Sequence, residues 1–389
     1  MKFVVAAYGS RGDVEPCVAA ARELSRRGHD VLVAAPPDKL GLAEAAGLAA
    51  VAYGRDTREQ LAAANEFARG GANPFAALPG VLERLIAVWT EKTEVLARLA
   101  EGADLLVAGI NEEEIVANVA ESQRIPVAGL HFFPRRIFST GPLYSSMTRE
   151  AANAQRRALG LPELDEAARA ALEIQAYDEM CLPGPAAGWV VPGRPFVGAL
   201  TLGLPAAADD EVLSWIAAGT PPICFGFGST PIAGADTVAL IGSACAELGE
   251  RALVCSGPND FDGGPRLDHV LVVDAVNHEA VLPACRAVVH HGGAGTTAAG
   301  LRAGIPTLIL WQWLDQPVWA AGVERLGVGW GRRLSATTSE SLVADLRALL
   351  SPRYAARARE VASQMTTCAE SLERAADLLE DAARRGRAG

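Results

Sequence analysis

The sequence predicts an α/β protein built from two doubly wound, parallel-sheet domains. Three observations carry this. The chain of 389 residues is more than twice the roughly 150 residues of an ordinary domain. A strand, a helix and a second strand fit between Phe3 and Ala35, and a spacing that short demands a parallel pair with a crossover helix. The same alternation starts again after Pro221.

The elements follow in order. FVVAAYG is an apolar run of strand length, and SRGD after it opens a helical pattern in which Val14, Cys17, Val18, Ala21 and Leu24 recur at 3.6 spacing. Gly28 stands where that helix ends, and Val31 to Ala35 forms the next strand before Pro36 and Pro37. Leu105 to Gly109 and Pro126 to Leu130 are further strands, with Val81 to Ala100 a helix before them. In the second half, ICFGFG, RALVCSG, HVLVVDAV, AVVHH and PTLILW read as strands. Thr237 to Leu248, Glu279 to Cys285, Ala294 to Ala303 and Pro317 to Leu326 read as the helices between and after them. The expected division is 1–203, a linker 204–220 around LPAAADD, a second domain 221–365, and a C-terminal helix 366–389 packing back toward the first domain. In such folds a ligand binds in the cleft beyond the carboxyl ends of the strands, so the two sheets are expected to face each other across it.

Composition narrows the function classes. Half of the residues are apolar and 21% are charged, which excludes disordered and collagen-like chains. The net charge of −11, with no long basic run, argues against a nucleic-acid partner. No apolar stretch reaches the roughly 18 residues of a membrane span, and the first run breaks at Gly9 before a signal peptide could form. The expectation is a cytoplasmic protein, monomeric or a weak dimer, with at most peripheral membrane contact. Cys17, Cys181, Cys224, Cys245, Cys255, Cys285 and Cys368 form no CxxC pair and read as buried apolar residues of a reducing compartment.

The sharpest chemical signal is HHGGAGTT, His290 to Thr297, between a strand and a helix closed by Gly304 and Pro306. Glycines there let backbone N–H groups approach an oxyanion, and the helix adds its positive dipole end. The alternative is a plain strand-to-helix turn with a buried histidine. The segment lacks the lysine of a P-loop and the spacing of GxGxxG, so it reads as an anion site of another kind. No DxD pair and no His or Cys spacing typical of a metal site is present, and adjacent His290 and His291 point to opposite faces of a strand. No metal and no cofactor are therefore expected.

HHGGAGTT followed by DQP at Asp315 to Pro317, with GSRGDVEP at Gly9 to Pro16, closely resembles the bacterial glycosyltransferases of family one, across nearly the whole chain. Within that family the resemblance is to enzymes that modify glycopeptide antibiotics and actinobacterial glycolipids or other natural products. It implies the GT-B architecture of two Rossmann-like domains, an acceptor held by the first and a nucleotide-sugar donor held by the second. By match to the family motifs, Ser229, His291, Gly292, Gly293, Ala294, Gly295 and Thr296 would hold the diphosphate. Asp315 and Gln316 would take sugar hydroxyls, and Val276 and His278 would meet the base. His278 stands where related enzymes carry Gln, which leaves UDP and dTDP both open, and Ala299 replaces a ribose-binding glutamate.

Asp13 would be the general base, taking the acceptor's proton as the bond to C1 forms. The residues also allow a structural role, because Ser10 and Asp13 make the S-x-x-D pattern of a helix cap. Asp315, ahead of Pro317, carries the same ambiguity. Acceptor contacts are expected from Ser10, Arg11, His131 and Phe132, and the acceptor is expected to be a hydrophobic small molecule or lipid. Trp311, Trp313, Trp319 and Trp330 crowd the region after Pro306 and read as core rather than sugar-stacking residues. The resulting expectation is an inverting, metal-independent transfer of a hexose or deoxyhexose to a hydroxyl. A nucleotide-sugar epimerase and a silent nucleotide-sugar-binding partner protein are the rival readings.

Overall fold

The computed structural model of the protein describes residues 1–58, 74–135, 142–184, 193–228, 234–259, 261 and 267–388. The chain divides into two compact units. The first takes Met1–Ala176, Val190–Leu202 and Cys368–Gly389; the second takes Tyr177–Trp189 and Gly203–Thr367.

In the first unit, β1 (Lys2–Ala6), α1 (Arg11–Arg26) and β2 (Asp30–Ala35) form the opening βαβ turn. They are followed by α2 (Leu40–Ala45), β3 (Ala49–Ala52), α3 (Pro74–Ala100), β4 (Leu105–Gly109), α4 (Glu113–Gln123), β5 (Val127–His131), α5 (Pro142–Ala158) and β6 (Leu172–Gln175). The strands pair in parallel in the order β3-β2-β1-β4-β5-β6. Phe3, Val4, Val5 and Ala6 are fully buried, as is every residue from Leu105 to Ala108, because helices cover both faces of the sheet. α1 buries its predicted stripe of Val14, Cys17, Val18, Ala21 and Leu24, and Gly28, at φ +84°, ends it in the left-handed conformation that favours glycine.

The second unit runs α6 (Asp209–Ala217), β7 (Ile223–Gly226), α7 (Gly234–Leu248), β8 (Ala252–Cys255), β9 (Val270–Val273), α8 (His278–Val281) and β10 (Ala287–His290). It continues with α9 (Ala294–Arg302), β11 (Thr307–Trp311), α10 (Gln316–Leu326), β12 (Gly329–Arg333), α11 (Ser339–Leu349) and α12 (Pro352–Ala362). Its parallel order is β12-β11-β10-β7-β8-β9. In both sheets the chain starts at a central strand, builds to one side, then returns to build the other. That leaves one switch point per unit, between β1 and β4 in the first and between β7 and β10 in the second.

One expectation is corrected. The stretch 204–220 is not a bare linker: Asp209–Ala217 is helical, and Val212 and Ile216 enter the core of the second unit. The Asp209–Asp210 pair that resembles linker polarity is a helix start. The Asp209 carboxylate accepts from the N–H of Ala206 at 2.8 Å and of Asn277 at 2.8 Å, tying the helix to the turn before α8. The C-terminal segment expected to be helical over 366–389 forms α13 (Cys368–Ala388), parted from α12 where Thr366 is held by Asp178 and Arg302. α13 belongs to the first unit, where Arg27 binds Asp377 at 2.6 Å and His29 binds Glu380 at 3.0 Å. None of the seven cysteines is in a disulfide, and six of them are buried. Among the described residues no helix is long and apolar enough to cross a membrane.

Leu106 in β4 is fully buried against the layer formed by α3, α4 and α5 of the first unit. Leu106→Ala is expected to destabilise that unit by about 2–5 kcal/mol, read as a lower urea midpoint; an unchanged midpoint would contradict the assignment of this core.

Candidate active site

In the second unit the loops after β7 and β10 border the switch point. β10 is buried along its length and pairs His290 with Gly226 of β7 and Ile309 of β11. The chain then turns sharply through Gly292, at φ +94°, into α9, whose N-cap is Gly293. A Cβ at Gly292 would lie 2.7 Å from Ile309 and 3.0 Å from the Gln316 Cβ, so only glycine lets this turn sit against α10. His291 is slotted between two glycine backbones: a Cβ at Gly228 would meet its ring at 2.7 Å, and one at Gly293 at 2.6 Å. Thr297 donates both its N–H and its hydroxyl to the Gly293 carbonyl, each at 2.9 Å, closing the first turn. The N–H groups of Ala294, Gly295 and Thr296 have no partner within the helix by its geometry and point out of its positive end. The result is a cradle of backbone donors with one imidazole beside it.

Burial sets the charge of that imidazole. It holds the His291 pKa down to about 4, aided by nearby His278 and opposed by the Gly226 carbonyl. His290 is also lowered, again by burial, and its Nδ1 accepts from the Gly292 N–H at 3.0 Å, which fixes the turn. Among the described residues, His290 Nε2 and His291 Nδ1 find no hydrogen-bond partner. At neutral pH His291 is thus an uncharged ring that offers a single N–H. The two rings stand 6.1 Å apart at 85°. Among the described residues there is no group of three His, Cys, Asp or Glu able to hold a metal.

Asp315 and Gln316 start α10 beside the cradle. Asp315 occupies the N-cap position without a side-chain cap; its carboxylate instead accepts from the Trp319 indole at 2.6 Å. Gln316 is buried and its amide oxygen accepts from the N–H groups of Gln312 and Trp313 at 2.7 and 3.2 Å. Val276 is buried in the core, and half-buried His278 begins α8 after the Asn277 cap. Ser229 lies outside the described residues. Of the four tryptophans, Trp319 is core, edge-on to Tyr177, and Trp330 packs partly buried on the sheet. Trp311 is half-buried at the end of β11 with the Arg333 guanidinium 4.6 Å from its ring centre, and Trp313 is 46% exposed and borders an apolar cavity of about 550 Å³ walled by Phe225, Phe227, Leu240 and Leu310.

In the first unit the switch point carries Asp13. Gly9, at φ +133°, brings the chain from β1 into α1, and a Cβ there would lie 2.4 Å from Asp13 Oδ2. That oxygen accepts from the Ser10 N–H at 2.6 Å and the Ser10 hydroxyl at 2.7 Å, so the helix-capping contact is real. Oδ1 accepts from Asn111 Nδ2 at 3.1 Å, and Asn111 also donates to the Tyr8 carbonyl at 3.1 Å. Burial raises the Asp13 pKa against the bonds from Ser10 and Asn111 that lower it. The opposing pulls of helix start and desolvation therefore resolve upward, toward a better base.

Sequence reasoning missed Asn111. The signal was its place, two residues past the end of β4 at a switch point; nothing in its residue type announces it. The four residues expected at the acceptor fall apart. Ser10 and exposed Arg11 lie beside Asp13, with Arg11 paired to Glu15 at 2.7 Å. His131 is 1% exposed and held by Glu113 at 2.8 Å, and Phe132 is 4% exposed against Phe133. Both of the latter are buried at the carboxyl end of β5.

A ring-proton NMR titration checks the cradle. His291 is expected to stay neutral through pH 6 and to titrate near 4; a midpoint near the ordinary 6.5 would contradict its burial. Unfolding frees the ring, so the unfolded chain takes up the proton first and stability falls as pH drops from about 6.5 toward 4.

Comparison with known proteins shows the family and the fold. Residues 265–380 match the family described as erythromycin biosynthesis protein CIII-like, C-terminal domain. The chain is 55% identical to an uncharacterized glycosyltransferase of Mycobacterium tuberculosis, over 100% of both chains. It is 30% identical to the vancomycin aglycone glucosyltransferase of Amycolatopsis orientalis, covering 99% of this chain and 98% of that one. Its fold is similar to that of the glycosyltransferase VinC in complex with dTDP, with a TM-score of 0.71 at 19% identity over 100% of both chains. The chain belongs to the bacterial glycosyltransferases of family one, enzymes of GT-B fold that include the antibiotic glycosyltransferases.

Proposed function

We propose that this glycosyltransferase moves a hexose or deoxyhexose from a UDP- or dTDP-sugar to a hydroxyl of a hydrophobic natural product or lipid, with inversion at C1 and without a metal. The observation that carries the reading is the glycine-lined turn His291–Thr296, whose outward N–H groups and neutral imidazole suit the diphosphate of a nucleotide sugar. The dTDP bound to VinC supports a thymidine donor, while His278 at the base position keeps uridine in view.

In this reading the acceptor hydroxyl attacks C1 and the C1–O bond to the diphosphate breaks. The acceptor's proton passes to Asp13, whose raised pKa makes it a stronger base than an exposed aspartate. The electron pair leaves on the diphosphate, where the α9 N–H groups, the His291 N–H and the helix dipole stabilise the growing charge. Asp315 and the Gln316 amide NH2 take sugar hydroxyls, which leaves C1 open on the face away from the leaving group. A displacement of that kind turns an α-linked donor into a β-glycoside.

The test is a mass-spectrometric screen pairing UDP-glucose and dTDP-glucose with lipophilic hydroxylated acceptors. Transfer is expected to continue in excess EDTA, and the coupling of the product's anomeric proton to be that of a β-glycoside. Asp13→Asn is expected to lower transfer by about 10²- to 10⁴-fold while nucleotide affinity holds. Undiminished activity in that variant would refute the base, loss of activity in EDTA would refute metal independence, and a C2-epimerised donor formed without acceptor would favour an epimerase.

A further inference from the structure

Directly behind Asn111 lies a group of buried charges that the reaction does not use. Glu112 is 3% exposed and Lys92, on α3, is 4% exposed; they pair at 2.7 Å. The other Glu112 oxygen accepts from the fully buried Tyr53 hydroxyl at 2.6 Å. The Lys92 ammonium sits 3.5 Å from the centre of the Tyr8 ring and 5.1 Å from that of Tyr53. Gly54, at φ +71°, leaves room for it: a Cβ there would lie 2.7 Å from Lys92 Cε and 2.8 Å from the Tyr8 ring. Lys92 is one of only three lysines in the chain, and a compact ammonium fits between two ring faces where a planar guanidinium would not.

A buried pair of this kind is a poor source of stability, because desolvating both charges offsets most of their attraction. Its position gives it another use. Tyr8 follows β1 and Glu112 follows β4, so the pair ties together the two loops that flank Asp13. Asn111 itself is exposed, and an exposed amide is free to rotate unless its backbone is held. Glu112 holds it through its side chain and through its own N–H, which donates to the Gly109 carbonyl at 2.8 Å.

We propose that the buried Lys92–Glu112 pair is a positioning device for Asp13, acting through Asn111: it pins the turn after β4 so that the Asn111 amide keeps its N–H on the Asp13 carboxylate. Asp13 touches the reacting atoms; Asn111, Glu112 and Lys92 do not. The catalytic consequence rests on Asp13 being the base, but the positioning itself can be measured without activity. The titratable groups near Asp13 are Cys17 on α1, whose thiol burial, Asp13 and Glu112 push up, then Glu112, Lys92 and Tyr8 behind the turn.

The experiment is a ¹³C-carboxyl NMR titration of the full chain labelled in aspartate, with Asp13→Asn identifying the resonance. Asn111→Ala removes a donor that favours the ionised carboxylate, so Asp13 is expected to titrate at higher pH, by roughly half a unit or more. Lys92→Met is expected to move it the same way. Combined with Asn111→Ala, it is expected to add nothing further. A through-space effect of the lost ammonium would raise the midpoint equally in both backgrounds, so simple additivity overturns the proposal. Tyr53→Phe keeps the packing and removes one bond to Glu112; it is expected to give a smaller rise, and it decides the question if Lys92→Met does not fold. No change in Tyr53→Phe overturns the proposal as well. Should Asp13→Asn retain transfer while these couplings hold, the base assignment fails and the positioning device stands.

Discussion

Parallel pairing of β1 with β4, and of β7 with β10, is the constraint from which the rest of the site follows. Parallel neighbours joined through helices on opposite sides of a sheet leave their carboxyl ends side by side, with the connecting chains diverging. Only there do two loops and a helix start meet without a third strand to fill the space. The first unit puts Asp13 and Asn111 at that position; the second puts His291 and the start of α9. The same backbone rule therefore yields a carboxylate in one unit and an anion cradle in the other. The difference lies in the residues, SRGD after β1 and HGGAGTT after β10.

Local electrostatics then outweigh the global field. A chain of net charge −11 repels a dianionic diphosphate, so in the proposed function donor capture rests on backbone N–H groups that carry no countercharge. Glycine is the means: at Gly292 and Gly293 any side chain would strike Gln316 or His291 and push the donors away from the ligand. Burial acts on the two key titratable groups in opposite senses. It keeps the His291 ring neutral and raises Asp13, and both shifts suit a transfer run near neutral pH.

Much of this was legible in the sequence, for physical reasons. Buried parallel strands leave unbroken apolar runs, so VVAA, LLVA and AVVH could be read directly, as could the glycine turn after the last of them. Edge strands β3, AAVA, and β12, GWGRR, were not legible, because small or charged residues at a sheet edge carry no apolar signature. Helix α6 was mistaken for a linker because Asp209 in its first turn looks like surface polarity until Asn277 is placed beside it. Asn111 and the Lys92–Glu112 pair could not be found by pattern at all. Their meaning depends on contacts between residues about twenty to a hundred positions apart, which spacing along a chain does not encode. The burial of His131 and Phe132 was likewise not legible, since it depends on Glu113 and Phe133 packed against them.

The central claim is that the turn after β10 receives the donor's diphosphate. Amide chemical shifts followed by NMR while dTDP and UDP are titrated into the full chain test it most directly. The account predicts that the largest changes fall on Gly293, Ala294, Gly295 and Thr296, with the His291 ring moving alongside them. Changes confined to other helix starts, with these amides undisturbed at saturation, would contradict it.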